Sequence, residues 1–268
     1  MPSLVEVENL HFRYGKQSTL RSLDDPWTLE DLSFGVGESE TLGIVGESGS
    51  GKSTLVRILC GLLRVGKGSV TFEGREIDDW LKQDPQGFRG RNQIVFQSPA
   101  SSLDPRMRVR ASLAEPVKAI ERRAPSNDEL VSWLGRVGLG PEMLGRFPHQ
   151  LSGGQLQRVG IARALSVGPT VLYADEPTSA LDVSVQAQVL NLLMDLREQL
   201  GLTLVMVSHD LGVISRMCAR VIVMKDGRIV EANGTSEVMR APSEAYTAAL
   251  VDAANAVSLA AESPLSVR

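Results

Sequence analysis

Lys52 and Ser53 close the stretch "GESGSGKS", which fits the pattern G-x-x-x-x-G-K-[ST]. A buried apolar run, "ETLGIVG", precedes it and an amphipathic run, "KSTLVRILCGLL", follows. Strand, glycine loop and helix in that order leave bare backbone amides at a helix start, a site for phosphate oxygens. Gly46, Glu47, Ser48, Gly49, Ser50 and Gly51 would wrap the phosphates. Lys52 would bring its cation to the β- and γ-phosphates, Ser53 would ligate Mg²⁺, and Thr54 would continue the helix N-terminus.

A second constellation fits the same chemistry. "TVLYADEP" is an apolar strand ending in two adjacent acids. Asp175 would hold Mg²⁺ as the partner of Ser53, and Glu176 would polarise an attacking water. A helix N-cap pair would explain one acid but not the buried strand before both. Gln97 ends the run "NQIVFQ", where an amide can sense Mg²⁺ (as a further ligand) or the water. His209 ends "LTLVMVSH", placing an imidazole at the strand ends where ligands gather in open α/β sheets. Each residue alone reads as a satisfied polar group; beside the first loop both read as catalytic. Tyr14, an aromatic before a glycine, suits stacking on adenine.

A second glycine loop lies far downstream. In "LSGGQLQR", Ser152, Gly153, Gly154 and Gln155 precede a helical pattern and read as another anion cradle. One nucleotide does not need two cradles so far apart in one chain.

The elements that must position these residues follow from periodicity. "SLVEVENLHFRYG" reads as a strand, residues 16 to 28 as a polar loop, and "GSVTFEG" and "NQIVFQ" as strands. From Arg106 to Leu165 the patterns are helical throughout, an insertion between strands of an α/β sheet. Strand–helix alternation then resumes through "SVQAQVLNLLMDLREQLG", "LTLVMVSHD" and "DLGVISRMC", and "RVIVMKDGRIV" reads as a hairpin on "KDG". The Ala-rich tail from Ser243 begins as a helix and then frays.

Composition bounds the alternatives. The chain has 268 residues, 43% hydrophobic and 22% charged, with a net charge of −4, ordinary globular values. That acidity excludes a nucleic-acid partner, and Arg89, Arg91, Arg106, Arg108 and Arg110 read as solvated faces. Cys60 and Cys218 lack metal-ligand spacing and read as buried small hydrophobes in a reducing compartment. No run reaches the roughly 20 apolar residues that span a bilayer. The start resembles no signal peptide, so any membrane work is expected to fall to other chains.

Together these motifs resemble the nucleotide-binding subunits of ABC transporters over nearly the whole chain. "GESGSGKST" resembles the Walker A loop, "VLYADE" the Walker B strand, Gln97 the Q-loop, His209 the H-loop, "SALD" the D-loop and "LSGGQ" the signature. The resemblance implies ATP and Mg²⁺, and an α/β P-loop NTPase (RecA-like) core with an antiparallel β subdomain and a helical subdomain. It assigns residues 1–98 and 167–242 to the core, 99–166 to the helical signature subdomain, and 243–268 to a short tail. It also implies that two subunits pack head to tail, each ATP lying between one P-loop and the other's Ser152–Gly154, with Asp182 at the seam.

"FQSPASSLDPRMRV", "DEPTSALDVSVQAQVLNLLMDLREQLGLTLVMVSHDLGVI" and "APSEAYTAAL" resemble the oligopeptide, dipeptide and nickel importer group. That implies a second ATPase subunit, a distinct chain or a second copy of this one. It implies two transmembrane permeases contacting the segment from Gln97 to Met107, an extracytoplasmic solute-binding protein, and a place at the cytoplasmic face of the membrane. Short peptides are the expected cargo, with nickel or another solute as alternatives. The tail lacks a cysteine-rich extension, so no iron–sulfur cluster is expected. The competing reading is a soluble ATPase of a non-transport assembly such as carbon–phosphorus lyase. A DNA-maintenance ATPase is disfavoured by the lack of a coiled-coil insertion, a zinc cysteine set or a basic face.

Overall fold

A computed structural model describes residues 3–15, 27–98 and 102–262. Most of the polar loop read at 16–28, and residues 99–101 of the expected permease-facing segment, lie outside the described residues.

Two sheets organise the chain. The first is antiparallel, in the order β2-β1-β4-β5: β1 is Val5–Phe12, β2 Leu29–Val36, β4 Lys67–Phe72 and β5 Arg75–Glu76. The second has the order β10-β9-β3-β8-β7-β6. Its strands are β3 Thr41–Val45, β6 Asn92–Val95, β7 Val171–Asp175, β8 Thr203–Ser208, β9 Arg220–Lys225 and β10 Arg228–Gly234. All its neighbours pair in parallel except β10, which returns on β9 through a tight hairpin. Asp226 and Gly227 turn that hairpin at φ 48 and 77, the left-handed pair a type I′ turn needs.

The central strands are continuous apolar runs because both faces are covered. Side chains alternate across a strand, and the core divides accordingly. Tyr173, Val205, Val207, Ile222 and Met224 pack toward the antiparallel sheet and helix α1, Lys52–Leu59. Leu172, Ala174, Leu204, Met206, Val221 and Val223 pack toward the helices on the opposite face. Those include α4 (Val109–Ile120), α5 (Asn127–Arg136), α6 (Gly153–Leu165), α7 (Val183–Leu200) and α8 (Leu211–Met217). Two short helices, α2 (Ile77–Gln83) and α3 (Pro85–Arg91), lead into β6. Helices α9 (Thr235–Arg240) and α10 (Ala245–Glu262) follow the hairpin.

The helical stretch read between Arg106 and Leu165 holds: no strand interrupts it among the described residues. Strand β2 is not legible from periodicity. Leu29, Leu32 and Val36 sit at i, i+3 and i+7, a helical spacing. The pairing explains it: Asp31 adopts φ 54 and the β1–β2 register slips, so a bulge resets the alternation. Helices α2 and α3 are too short to show a period, being broken at Asp84–Pro85.

Cys60 and Cys218 are buried and unpaired. Arg91 is half-buried rather than fully solvated: it pairs with Glu73 and stacks with Arg75 on Trp80.

Candidate active site

The site forms where parallel strands end. Loops leaving the carboxyl ends of β3, β6, β7 and β8 meet at one edge of the sheet, as open α/β sheets place ligands. They enclose a cavity of about 590 Å³ lined by Thr28, Ser48, Gly49, Gly51, Lys52, Ser53, Thr54, Gln97, Glu176 and His209.

The glycine loop leaves β3 and ends at α1. Gly51 is the N-cap of α1 at φ 97, and a Cβ there would stand 2.6 Å from Leu29 Cδ2, so only glycine fits. Lys52 is buried, its Nζ donating to the carbonyls of Gly46 and Glu47, both at 2.7 Å, and to Ser50 Oγ at 3.3 Å. Burial lowers its pKa, opposed by the carboxylates of Glu176, Asp175 and Glu47. Gly46, Glu47 and Ser50 therefore build the base of the loop, while Ser48, Gly49 and Gly51–Thr54 face the cavity.

Ser53 Oγ donates to Asp175 Oδ1 at 2.9 Å. Asp175 is 3% exposed, and burial raises its pKa despite the Ser53 bond. Successive strand residues point to opposite faces, yet Asp175 and Glu176 both reach this site. The backbone shows how: Glu176 is left-handed at φ 44, and its N–H bonds Val207 O on β8 at 3.0 Å. A non-glycine residue in that region carries strain, which clusters at functional sites.

Glu176 sits between the two other predicted catalytic residues. Gln97 Nε2 donates to Glu176 Oε2 at 2.9 Å, and His209 Nδ1 lies 3.4 Å from Glu176 Oε1. Gln97 does not end its strand. β6 stops at Val95, the last residue paired with β7 (opposite Ala174), and Gln97 stands two residues further on. His209 follows directly on β8. Tyr14 Oη lies 3.2 Å from Thr54 Oγ1, and its ring packs edge-on to Phe12. It remains 54% exposed, a face open for stacking.

The second glycine loop is not brought to this cavity. Ser152 caps α6: its Oγ accepts Gln155 N–H at 3.3 Å, and its own N–H donates to Gln155 Oε1 at 3.0 Å. This is a capping box, and its S-x-x-Q signal was present in the sequence. Ser152 and Gly153 are exposed. The loop instead packs on the segment carrying Asp182: a Cβ at Gly154 would lie 2.5 Å from Val185 Cγ1, and one at Gly153 3.2 Å from Leu181 Cδ2. Asp182 caps α7 by accepting Val185 N–H at 3.0 Å; that bond and the Ser184 hydroxyl hold its carboxyl below the ordinary range.

Two residues at this site escape sequence reasoning. Thr28 lines the cavity from the start of β2, and Tyr246 in α10 accepts the Glu47 N–H at 3.0 Å. Thr28 belongs to no local pattern, and Tyr246 stands in "APSEAYTAAL", a stretch read only for its likeness to importers and not for a place at the site.

The ABC transporter family matches residues 29–179, more than half of the chain. The oligopeptide transport ATP-binding protein OppF of Streptococcus mutans is 42% identical over 255 residues, covering 93% of this chain and 81% of that one. The oligopeptide transport ATP-binding protein AppF of Bacillus subtilis is 42% identical over 234 residues, covering 86% and 71%. Among solved structures, the dimeric ATP-binding cassette MJ0796 in a post-hydrolysis state with ADP and Pi superposes with a TM-score of 0.75. It is 30% identical, covering 86% of this chain and 98% of that one.

Proposed function

The chain belongs to the ABC transporter family as an ATP-binding and ATP-hydrolysing subunit, and from that premise we propose that it powers the import of short peptides through separate permease chains. The observation that carries the hydrolytic part is Glu176 held between Gln97 and His209 at the cavity that Lys52 and Ser53 line. The peptide assignment is supported by the relatives, which are named as oligopeptide transport proteins. Those names also disfavour a non-transport assembly.

In this reading the loop amides and Lys52 take the phosphate oxygens, Lys52 exchanging its loop carbonyls for the β- and γ-phosphates. Glu176 removes a proton from water as its oxygen bonds the γ-phosphorus and the bond to the β-phosphate oxygen breaks, leaving ADP and phosphate. Gln97 orients that water, and His209 contacts the γ-phosphate. Tyr14 stacks on the base.

The donor set suits Mg²⁺. Ser53 and Asp175 present hard oxygens 2.9 Å apart, and Mg²⁺ is held by one or two carboxylates plus substrate phosphates rather than an all-protein cage. Ser53, Asp175 and the Gln97 carbonyl would hold the ion, which when bound neutralises charge developing on the phosphates.

Ser152, Gly153, Gly154 and Gln155 serve a nucleotide held by a second ATPase subunit, with Asp182 at the seam. Supporting this are the exposure of that loop, its place outside the chain's own cavity, and the dimeric state of the structural neighbour. We divide the chain into a core of residues 1–98 and 167–242, a helical unit of 99–166 and a tail of 243–268. Between core and helical unit lies a groove of about 280 Å³, lined by Leu62, Ile94, Pro116, Ile120, Gln157 and others. The groove is the site we assign to a permease segment.

No described helix is long and apolar enough to cross a membrane. The place at the cytoplasmic face beside the permeases is supported by the transport relatives. The test is reconstitution with co-transcribed permeases and solute-binding protein in vesicles. Peptide-dependent ATP hydrolysis and uptake are expected. Stimulation by nickel alone, or by no solute, overturns the peptide assignment.

A further inference from the structure

We propose that Tyr246 is a positioning residue for the phosphate loop, holding the Glu47 peptide from outside the cavity so that the loop is ordered before ATP arrives. The proposal rests on the reading of residues 46–54 as the loop that takes the ATP phosphates.

The residue before the turn of that loop is gripped from two sides. The Glu47 N–H donates to Tyr246 Oη at 3.0 Å, across 199 residues of sequence, and the Glu47 carbonyl accepts Lys52 Nζ at 2.7 Å. One step back, Gly46 lies flat on the end of β9: a Cβ there would stand 2.1 Å from the Met224 carbonyl oxygen. The residue after Met224, Lys225, sets its Nζ 4.9 Å above the Tyr246 ring. Gly46 and Glu47 therefore rest on a floor made by β9 and α10, on the side away from the nucleotide.

That floor is itself anchored. Glu231 on β10 accepts the N–H groups of Ser243 and Glu244 at 3.0 and 3.3 Å, closing the segment that enters α10. Val251 is buried in the core, and α10 packs along α8, where a Cβ on Gly212 would touch Ala254 Cβ at 3.8 Å. Helix α8 begins two residues after His209. The tail thus joins the loop at the phosphates to the helix that follows His209. Physically, a loop with glycines at 46, 49 and 51 has much backbone freedom to lose on binding. Holding it in one shape lowers that cost.

Tyr246→Phe tests this in the full chain assembled with its permeases, because it keeps the ring and its contact with Lys225 while removing the acceptor. The expected result is a KM for ATP raised about 3- to 10-fold, the scale of one lost hydrogen bond. The kcat should stay within about 2-fold, and the melting temperature should fall by no more than about 2–4 °C, because the same bond is lost from the nucleotide-free chain. Glu231→Ala, which frees the other end of the segment, should move KM the same way. A KM within about 2-fold of the parent for Tyr246→Phe, whatever happens to Tm, overturns the proposal and leaves Tyr246 as packing. Lys52→Ala separates this from the underlying reading. If it binds nucleotide normally, the phosphate-loop assignment itself fails; if only Lys52→Ala is defective, the role of Tyr246 fails alone.

Discussion

The two glycine loops share a composition and differ in everything around it. The loop at 46–54 is gripped on all sides: Lys52 turns back onto its carbonyls, Met224 and Leu29 leave no room for side chains at Gly46 and Gly51, and Tyr246 holds Glu47. The loop at 151–155 is held by its own capping box and by the Leu181–Val185 segment, and its serine faces outward. The first is a complete cradle in one chain. In the proposed reading the second is half of a site, with an exposed serine and a helix N-terminus offered to another molecule. The pairing of an inward and an outward cradle is what a nucleotide shared between two subunits requires.

That contrast can be broken experimentally. The largest effect is expected from Glu176→Gln: turnover should fall about 10²- to 10⁴-fold, the range for losing a general base, while ATP binding persists. In this background ATP should drive a stable pair of ATPase subunits, visible by light scattering, and adding Ser152→Arg should abolish that pair. Lys52→Ala comes next, with nucleotide affinity falling about 100-fold, since charge-assisted bonds to phosphate are lost. Ser152→Arg alone should keep affinity within about 3-fold yet lower turnover at least about 10-fold. If it instead removes binding by the isolated chain, the outward loop acts within its own chain and the contrast fails.

The smallest effect concerns stability. Burial raises the Asp175 pKa, so its ionised form disfavours the folded state. The unfolded chain ionises this carboxyl at the ordinary carboxylate range and the folded chain only at higher pH. The penalty is absent in acid, develops as pH rises between those two values, and is complete above them. Asp175→Asn should therefore raise the melting temperature of the nucleotide-free chain by a few degrees at neutral pH, and the gain should vanish in acid. Hydrolysis should fall in the same variant, because Ser53 loses its anionic partner.

How much of this was legible beforehand depends on range. Residues 46–54 and 171–176 carry strand, loop and acid within a few positions, so periodicity and residue type suffice to read them. Gln97 and His209 were legible as strand ends, within two residues of where their strands stop. Strand β2 was hidden by the bulge at Asp31, which converts its alternation into helical spacing. The S-x-x-Q box at 152–155 stood in plain view but was masked by its likeness to an anion cradle; the structure shows the capping box.

By itself the chain of residues determined which chemistry is available: glycines and a lysine for phosphate, two consecutive acids, an amide and an imidazole, each at or just past the end of an apolar strand. Tertiary structure alone decided which of them meet. Parallel pairing brings the ends of β3, β6, β7 and β8 to one edge, a left-handed turn sets Glu176 at the cavity while Asp175 stays buried against Ser53, and Tyr246 reaches Glu47 from the far end of the chain. The reason is physical: residue type and local spacing set the propensity of a segment. Contacts between segments hundreds of residues apart depend on how whole faces are buried, which no short window of sequence contains.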